Sequence, residues 1–240
     1  MASPLWVHFL GTQVPYAVGM AHMRRGITQV DEPVEQGGGS QLFLLEHTDT
    51  LTITRQHGAT HLLASEEELS RLDIDLVETD RGGDVTFHGK GQLVGYLVMR
   101  LSPVDLIGYL RRLEKALLGT CHALGLKHAH LIDGKTGVWV HSRKLIAIGV
   151  GVSNGITKHG FAFNLSTDLE RFTACMVPCG LKNHGVTRLD RELANMPSDA
   201  HIQSTLIHQL SQAFALSPHY PVAKIPKSKN KNTAFSDGVF

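Results

Sequence analysis

The sequence predicts one mixed α/β domain, and three observations carry that reading. Apolar residues alternate in some stretches and recur at three- and four-residue steps in others, so both strands and helices are expected. The 240 residues, 42% of them hydrophobic, suffice for one full core, and nothing demands a second domain. Between two strand patterns lies the glycine-rich stretch Arg81-Gly82-Gly83-Asp84-Val85-Thr86-Phe87-His88-Gly89-Lys90-Gly91-Gln92. Its glycines can bring backbone close to another molecule at an entropic cost, and the interleaved Arg81, Thr86, His88 and Gln92 favour a binding loop over a plain turn.

Taken in order, Val7 to Leu10 is a short apolar run, and Pro15 opens a helix through Val30 with Tyr16, Met20, Met23 and Ile27 on one face. Gly37 to Ser40 is a loop, Gln41 to Glu46 and Leu51 to Arg55 are strands, and Ser65-Glu66-Glu67-Glu68 is a capping box that starts a short helix. Leu72, Ile74 and Leu76 alternate as a half-buried strand before the glycine-rich stretch, and Leu93 to Leu101 follows it as a buried one. Ser102 is the expected cap and Pro103 the first residue of a helix whose stripe is Val104, Ile107, Leu110, Leu113 and Leu117, stopping at Gly125. Gly137 to Val140, Lys144 to Val152 and Gly160 to Leu165 are strands, and helices are expected near Arg188 to Asn195 and from His201 to Leu216. A single folded domain is assigned to residues 1–217 and a basic, disordered tail to 218–240, which holds Lys224, Lys227, Lys229 and Lys231, three prolines and few apolar residues.

Composition bounds the function. Lys plus Arg number 23 against 22 Asp plus Glu, a balance of +1 that argues for neither nucleic acid nor a membrane surface as partner. No apolar run reaches membrane-span length and no export signal is evident, so a cytoplasmic protein is expected. Three cysteines, Cys121, Cys175 and Cys179, fit a reducing compartment better than a disulfide framework. Cys175 and Cys179 are a weak metal signal, and His122, His128, His130, His201 and His208 lack ligand spacing, so no metal is expected.

Cys179 lies in Pro178-Cys179-Gly180, a turn that would expose its thiol. A thiolate nucleophile needs a nearby cation, and Lys144 and His184 are candidates; the bland reading is a buried structural cysteine. Lys144 opens a strand and can point into whatever the sheet cradles. In His159-Gly160-Phe161-Ala162-Phe163-Asn164, the small Gly160 and Ala162 would leave room for a ligand chain.

Together, Arg81-Gly82-Gly83, Thr86-Phe87-His88-Gly89, Gly91-Gln92, Gly137-Val138-Trp139-Val140, Lys144-Leu145 with Gly149, His159 to Asn164 and Pro178-Cys179-Gly180 resemble the lipoyl(octanoyl) transferase family, from about Tyr16 to Leu193 and including Glu46-His47. Lys90 stands where that family usually has proline. The resemblance implies a mixed, largely antiparallel sheet covered by helices, like that of biotin and lipoate ligases. It implies transfer of an octanoyl or lipoyl group from acyl carrier protein to a lysine of lipoyl domains, those of 2-oxoacid dehydrogenases and the glycine cleavage H protein, by a monomer without cofactor. By the same resemblance Cys179 is the nucleophile and Lys144 lowers its pKa and shuttles protons. Arg81, Gly82, Gly83, Asp84, Val85, Thr86, Phe87 and His88, then Ala147, Ile148 and Gly149, then Gly160, Phe161 and Ala162 are the implied acyl contacts. The main alternative is an ATP-dependent lipoate or biotin-type protein ligase; an acyl-protein binding module and a cysteine hydrolase are further ones.

Overall fold

A computed structural model of the chain describes residues 2–55, 62–176 and 185–221. Its strands are β1 (Ser3–Val14), β2 (Ser40–His47), β3 (Thr50–Thr54), β4 (Asp75–Thr79), β5 (Thr86–His88), β6 (Gln92–Val98), β7 (Ala129–Ile132), β8 (Lys135–Val140), β9 (Arg143–Ser153), β10 (Ile156–Asn164), β11 (Gly185–Val186) and β12 (Leu216–His219). The helices are α1 (Tyr16–Gln29), α2 (Glu66–Arg71), α3 (Leu106–Ala123), α4 (Leu169–Cys175), α5 (Leu189–Glu192) and α6 (Asp199–Phe214).

The main sheet runs β12-β1-β2-β6-β10-β9-β8-β7, with β11 added beside β9. From β2 through β7 every neighbour is antiparallel, whereas β1 pairs in parallel with both β2 and β12. One face carries α3 and α6 over a core that includes Leu97, Leu113, Val138, Ile146 and Leu206. The other carries α1, whose Met20 and Met23 meet Phe43, Val94 and Tyr96. A small sheet, β4-β3-β5, holds a third cluster of Leu51, Leu69, Phe87 and Met176. The expected mixed, largely antiparallel sheet covered by helices is therefore the fold found.

Local chemistry explains most boundaries. The capping box at α2 forms as predicted, with Ser65 accepting from the Glu68 amide and Glu68 accepting from the Ser65 amide at 2.8 Å. The main helix starts later than predicted: Asp105, not Ser102, is the cap and accepts from the Gly108 amide at 2.8 Å. Val104 and Ile107 consequently leave the buried stripe, being 65% and 73% exposed, and Tyr109, Leu113, Ala116, Leu117 and Cys121 form it. Leu72 closes α2 instead of opening a strand, and Asp73 turns at φ 54° before β4. The glycine-rich stretch is not all loop, because Thr86–His88 forms β5 and pairs with β3. The expected boundary at residue 217 falls inside β12, and residues 222–240 lie outside the described residues.

Candidate active site

The Arg81 loop is laid against β9 by two glycines. The Gly82 amide donates to the Val150 carbonyl at 2.9 Å, and a Cβ on Gly149 would come within 2.9 Å of the Gly82 carbonyl oxygen. Only residues without side chains let the two backbones approach this closely. The Arg81 guanidinium is turned inward, donating to the Thr52 carbonyl at 3.0 Å and to its hydroxyl at 2.9 Å.

Two connected spaces result. The inner one is a cavity of about 30 Å³ lined by Arg81, Thr86, His88, Ala147, Ile148, Gly149, Gly160, Phe161 and Ala162, to which the structure adds Tyr16, Val94, Tyr96 and His159. The outer one, about 520 Å³, is lined by Gly82, Gly83, Asp84, Val85, Leu106, Leu110 and Lys144 and shares Arg81, Thr86, Ala147, Ile148 and Gly149 with the inner. The inner space is much the smaller of the two as the side chains stand, and the outer has more room for an eight-carbon chain. Phe87 lines neither space and is buried in the small-sheet cluster, because β5 sends it to the side opposite His88. Gly160 lines the inner space and serves packing as well: a Cβ there would lie 2.0 Å from the Gly95 carbonyl oxygen of β6.

Beside Arg81 and the apolar residues, the aromatic part of the inner wall is polar and neutral. His47 donates from Nδ1 to the Val14 carbonyl at 2.8 Å, so its Nε2 accepts from the Tyr96 hydroxyl at 2.6 Å. The Gln92 amide nitrogen donates to the Phe87 carbonyl and to Asn164 Oδ1, leaving Gln92 Oε1 to accept from His88 Nδ1 at 2.8 Å. Burial pushes the His47 imidazolium pKa down to about 4, opposed by the Val14 bond. Burial, reinforced by His47, takes His88 to about 3, and both rings are neutral at physiological pH. Burial likewise raises the phenols of Tyr16 and Tyr96. His159, at φ 61°, donates from Nε2 to Asp80 Oδ1 at 2.7 Å. Partial burial disfavours the Asp80 carboxylate, but the bonds from Lys158 and His159 outweigh it and hold the pKa to about 2.

Lys144 stands at the outer groove with its Nζ 4.7 Å from the centre of the Trp139 ring, a cation–π contact. β11 pairs in parallel here, Gly185 with Arg143 and Val186 with Lys144, and the Thr187 amide donates to the Lys144 carbonyl at 3.0 Å. At the other flank of the preceding segment, the Leu63 and Ala64 amides donate to the Cys175 carbonyl. Cys179 and His184 lie outside the described residues. Cys121 and Cys175 are both fully buried, and burial lifts the Cys121 thiol to about 12 and raises that of Cys175, so neither is set up as a nucleophile.

Tyr16, Tyr96 and His159 were missed as site residues. The first two read only as core positions of a helix and a strand, and His159 as a polar start to β10. The one available signal was the resemblance, which included His47 and His159.

A sequence model of the lipoyl protein ligase A/B catalytic domain matches residues 15–211. The chain belongs to this family. An octanoyltransferase from Chloroflexus aurantiacus is 39% identical over 220 residues, covering 89% of this chain and 96% of its own length. One from Mycobacterium tuberculosis is 44% identical over 177 residues, 71% of this chain and 72% of its own. One from Clostridium kluyveri is 46% identical over 157 residues, 65% of this chain and 66% of its own. These relatives place this member of the family among the acyltransferases. Its fold is shared with a bipartite lipoate protein ligase from Thermoplasma acidophilum, with a TM-score of 0.74 at 17% identity over 93% of this chain and 88% of that one. Lipoate-protein ligase A bound with ATP gives a TM-score of 0.73 at 16% identity over 93% and 90%. At these identities the likeness concerns fold.

Proposed function

We propose that this family member moves an octanoyl group from an acyl carrier protein thioester to a lysine of a lipoyl domain by way of a thioester on Cys179. The observation that carries the reading is the outer groove: it presents Lys144 at one side and shares Arg81, Thr86, Ala147, Ile148 and Gly149 with the inner space, while Lys144 itself pairs with Val186 of β11, which follows Cys179 in the sequence. In this reading Lys144 favours the thiolate, which attacks the carrier thioester. The carrier thiolate leaves with a proton from Lys144. The acceptor lysine, once its ammonium has given a proton to solvent, attacks the acyl-enzyme as the neutral amine; Lys144 takes the one further proton released as the amide forms, and Cys179 leaves as thiolate. Each methylene of the acyl chain removed from water contributes about 0.8 kcal/mol, so the apolar lining from Val85, Leu106, Leu110 and Ile148 suffices for chain selection.

The test is the mass of enzyme and lipoyl domain after mixing with octanoyl carrier protein alone, or with ATP, magnesium and free octanoate. The expected outcome is an acyl adduct and a modified lipoyl domain under the first condition and no product under the second. Cys179→Ala should lose both, while Cys121→Ala keeps most of the activity of its folded fraction. Lys144→Ala should move thiol alkylation to higher pH, since a cation within about 4–6 Å favours the thiolate. Product only with ATP and free acid would instead establish a ligase and make Cys179 structural.

A further inference from the structure

Asn164 closes β10 and is buried, with 4% of its surface exposed, yet none of its side-chain bonds serves its own strand. Its Oδ1 accepts from Gln92 Nε2 at 3.0 Å and lies 3.3 Å from the Thr167 hydroxyl, whose one hydrogen it shares with the Gly91 carbonyl at 3.1 Å. Its Nδ2 donates to the Thr187 carbonyl at 3.0 Å. Gln92 in turn donates to the Phe87 carbonyl and accepts from His88, which lines the inner cavity. On the far side Thr187 donates its amide to the Lys144 carbonyl. A continuous run of hydrogen bonds thus passes from the wall of the slot, through Gln92, Asn164 and Thr187, to Lys144.

Gln92, Asn164 and Thr187 are all buried, Gln92 and Thr187 each 1% exposed, and the Asp190 amide on the Leu165 carbonyl joins the same strand end from outside. Burying an amide is unfavourable unless both its oxygen and its nitrogen are satisfied, and here all partners lie on segments that meet at the site. An apolar side chain in this place would leave the Thr187 carbonyl and a Gln92 N–H without partners.

We propose that Asn164 is a positioning residue for the transfer reaction: by joining the Gln92 end of the glycine-rich loop to Thr187, it fixes Lys144 relative to the acyl slot. The inference rests on the transferase reading above and adds a residue that touches neither acyl group nor thiol. Displacing a proton-transferring group by an ångström or less impairs the chemical step more than binding, so the loss should appear in kcat.

Asn164→Asp is the informative variant because it preserves shape. Its ionised carboxyl sets oxygen against the Thr187 carbonyl, whereas its protonated form restores a donor. Burial lifts that carboxyl above the ordinary carboxylate range, so its titration falls where the enzyme can be assayed. The expected result is a kcat about tenfold lower near neutral pH at unchanged KM for the carrier protein, with the variant-to-wild-type ratio recovering as pH falls. Thr167→Val removes the weak donor to Asn164 together with the same hydroxyl's bond to the Gly91 carbonyl at 3.1 Å, and should lower kcat about twofold to threefold, again at constant KM. Hydrogen exchange at the Thr187 amide should speed up in both variants. A ratio that stays near one at every pH in folded Asn164→Asp, or unaltered exchange at Thr187, overturns the proposal. If the wild type forms no acyl-enzyme, the transferase reading fails by itself, and the exchange measurement still decides whether Asn164 holds Thr187 and Lys144 in place.

Discussion

Gly160 shows that a residue lining a candidate site can also be fixed by a packing demand that its own sequence does not display. Its place in His159-Gly160-Phe161 marked it as special in the sequence, but the demand for glycine comes from the Gly95 carbonyl of the neighbouring strand, and no inspection of one strand reveals what its partner presents. Gly160→Ala would drive a Cβ to 2.0 Å from that oxygen, so β6 and β10 must separate or the chain must bend. We expect a loss of at least about 3 kcal/mol in denaturant unfolding, or failure to fold, as for severe overpacking. Gly185→Ala is the control, its Cβ meeting only Arg143 Cγ at 3.5 Å, and should change stability by no more than about 0.5 kcal/mol. Phe87 carries the same lesson: alternation within β5 separates it from His88, and β5 was hidden inside a stretch whose glycines read as loop.

Elements with one strong periodicity were legible, and edge elements were not. α1, α3 and the strands from β8 to β10 bury wide apolar faces that dominate local sequence. β1 buries only Leu5, Val7 and Val14, and its pairing with β2 is interrupted near Gly11, so only its middle was visible. β12 contains Pro218, which suits an edge strand but reads from sequence as the start of a tail. Its parallel pairing with β1 runs from Ser3–Leu216 to Trp6–His219. Deleting the chain from Lys224 onward should therefore move the melting temperature by no more than about 2 °C, whereas deletion from Leu216 should lower it by about 5–10 °C, since each kcal/mol is worth about 2–4 °C at this size. Equal melting of the two truncations would mean that β12 adds nothing to the sheet.

At the scale of the molecule, the neutral imidazoles around the slot set the acid limit of the fold. His47 and His88 have folded-state pKa values depressed to about 4 and about 3 from an unfolded 6.5. The unfolded chain thus binds more protons between those values, so the stability they contribute is complete above about pH 6.5 and is lost as pH falls toward 4. Asp80, held to about 2, keeps its contribution above 3.8 and loses it only at lower pH. Urea midpoints should fall steadily from pH 7 to about 4.5, and His88→Gln should flatten that slope even if it lowers the midpoint at pH 7. A midpoint independent of pH in the wild type would show that these rings are already charged or solvated. The sequence made such a cluster impossible to foresee, because Tyr16, His47, His88 and Tyr96 come from four separate elements and meet only when α1 lies across the sheet.

Among the described strands, β1 comes first in the chain and its outer neighbour β12 comes last. β1 takes β2 on one side early in synthesis, but its other edge stays open until Leu216–His219 emerges, after all six helices of the described residues. During that interval a nascent chain displays an unpaired parallel edge beside Phe9, itself half exposed even in the finished fold, and neighbouring nascent copies on one messenger could pair there. The penalty for slow translation of the final helix would then be paid in aggregation during synthesis, while the completed enzyme remained stable.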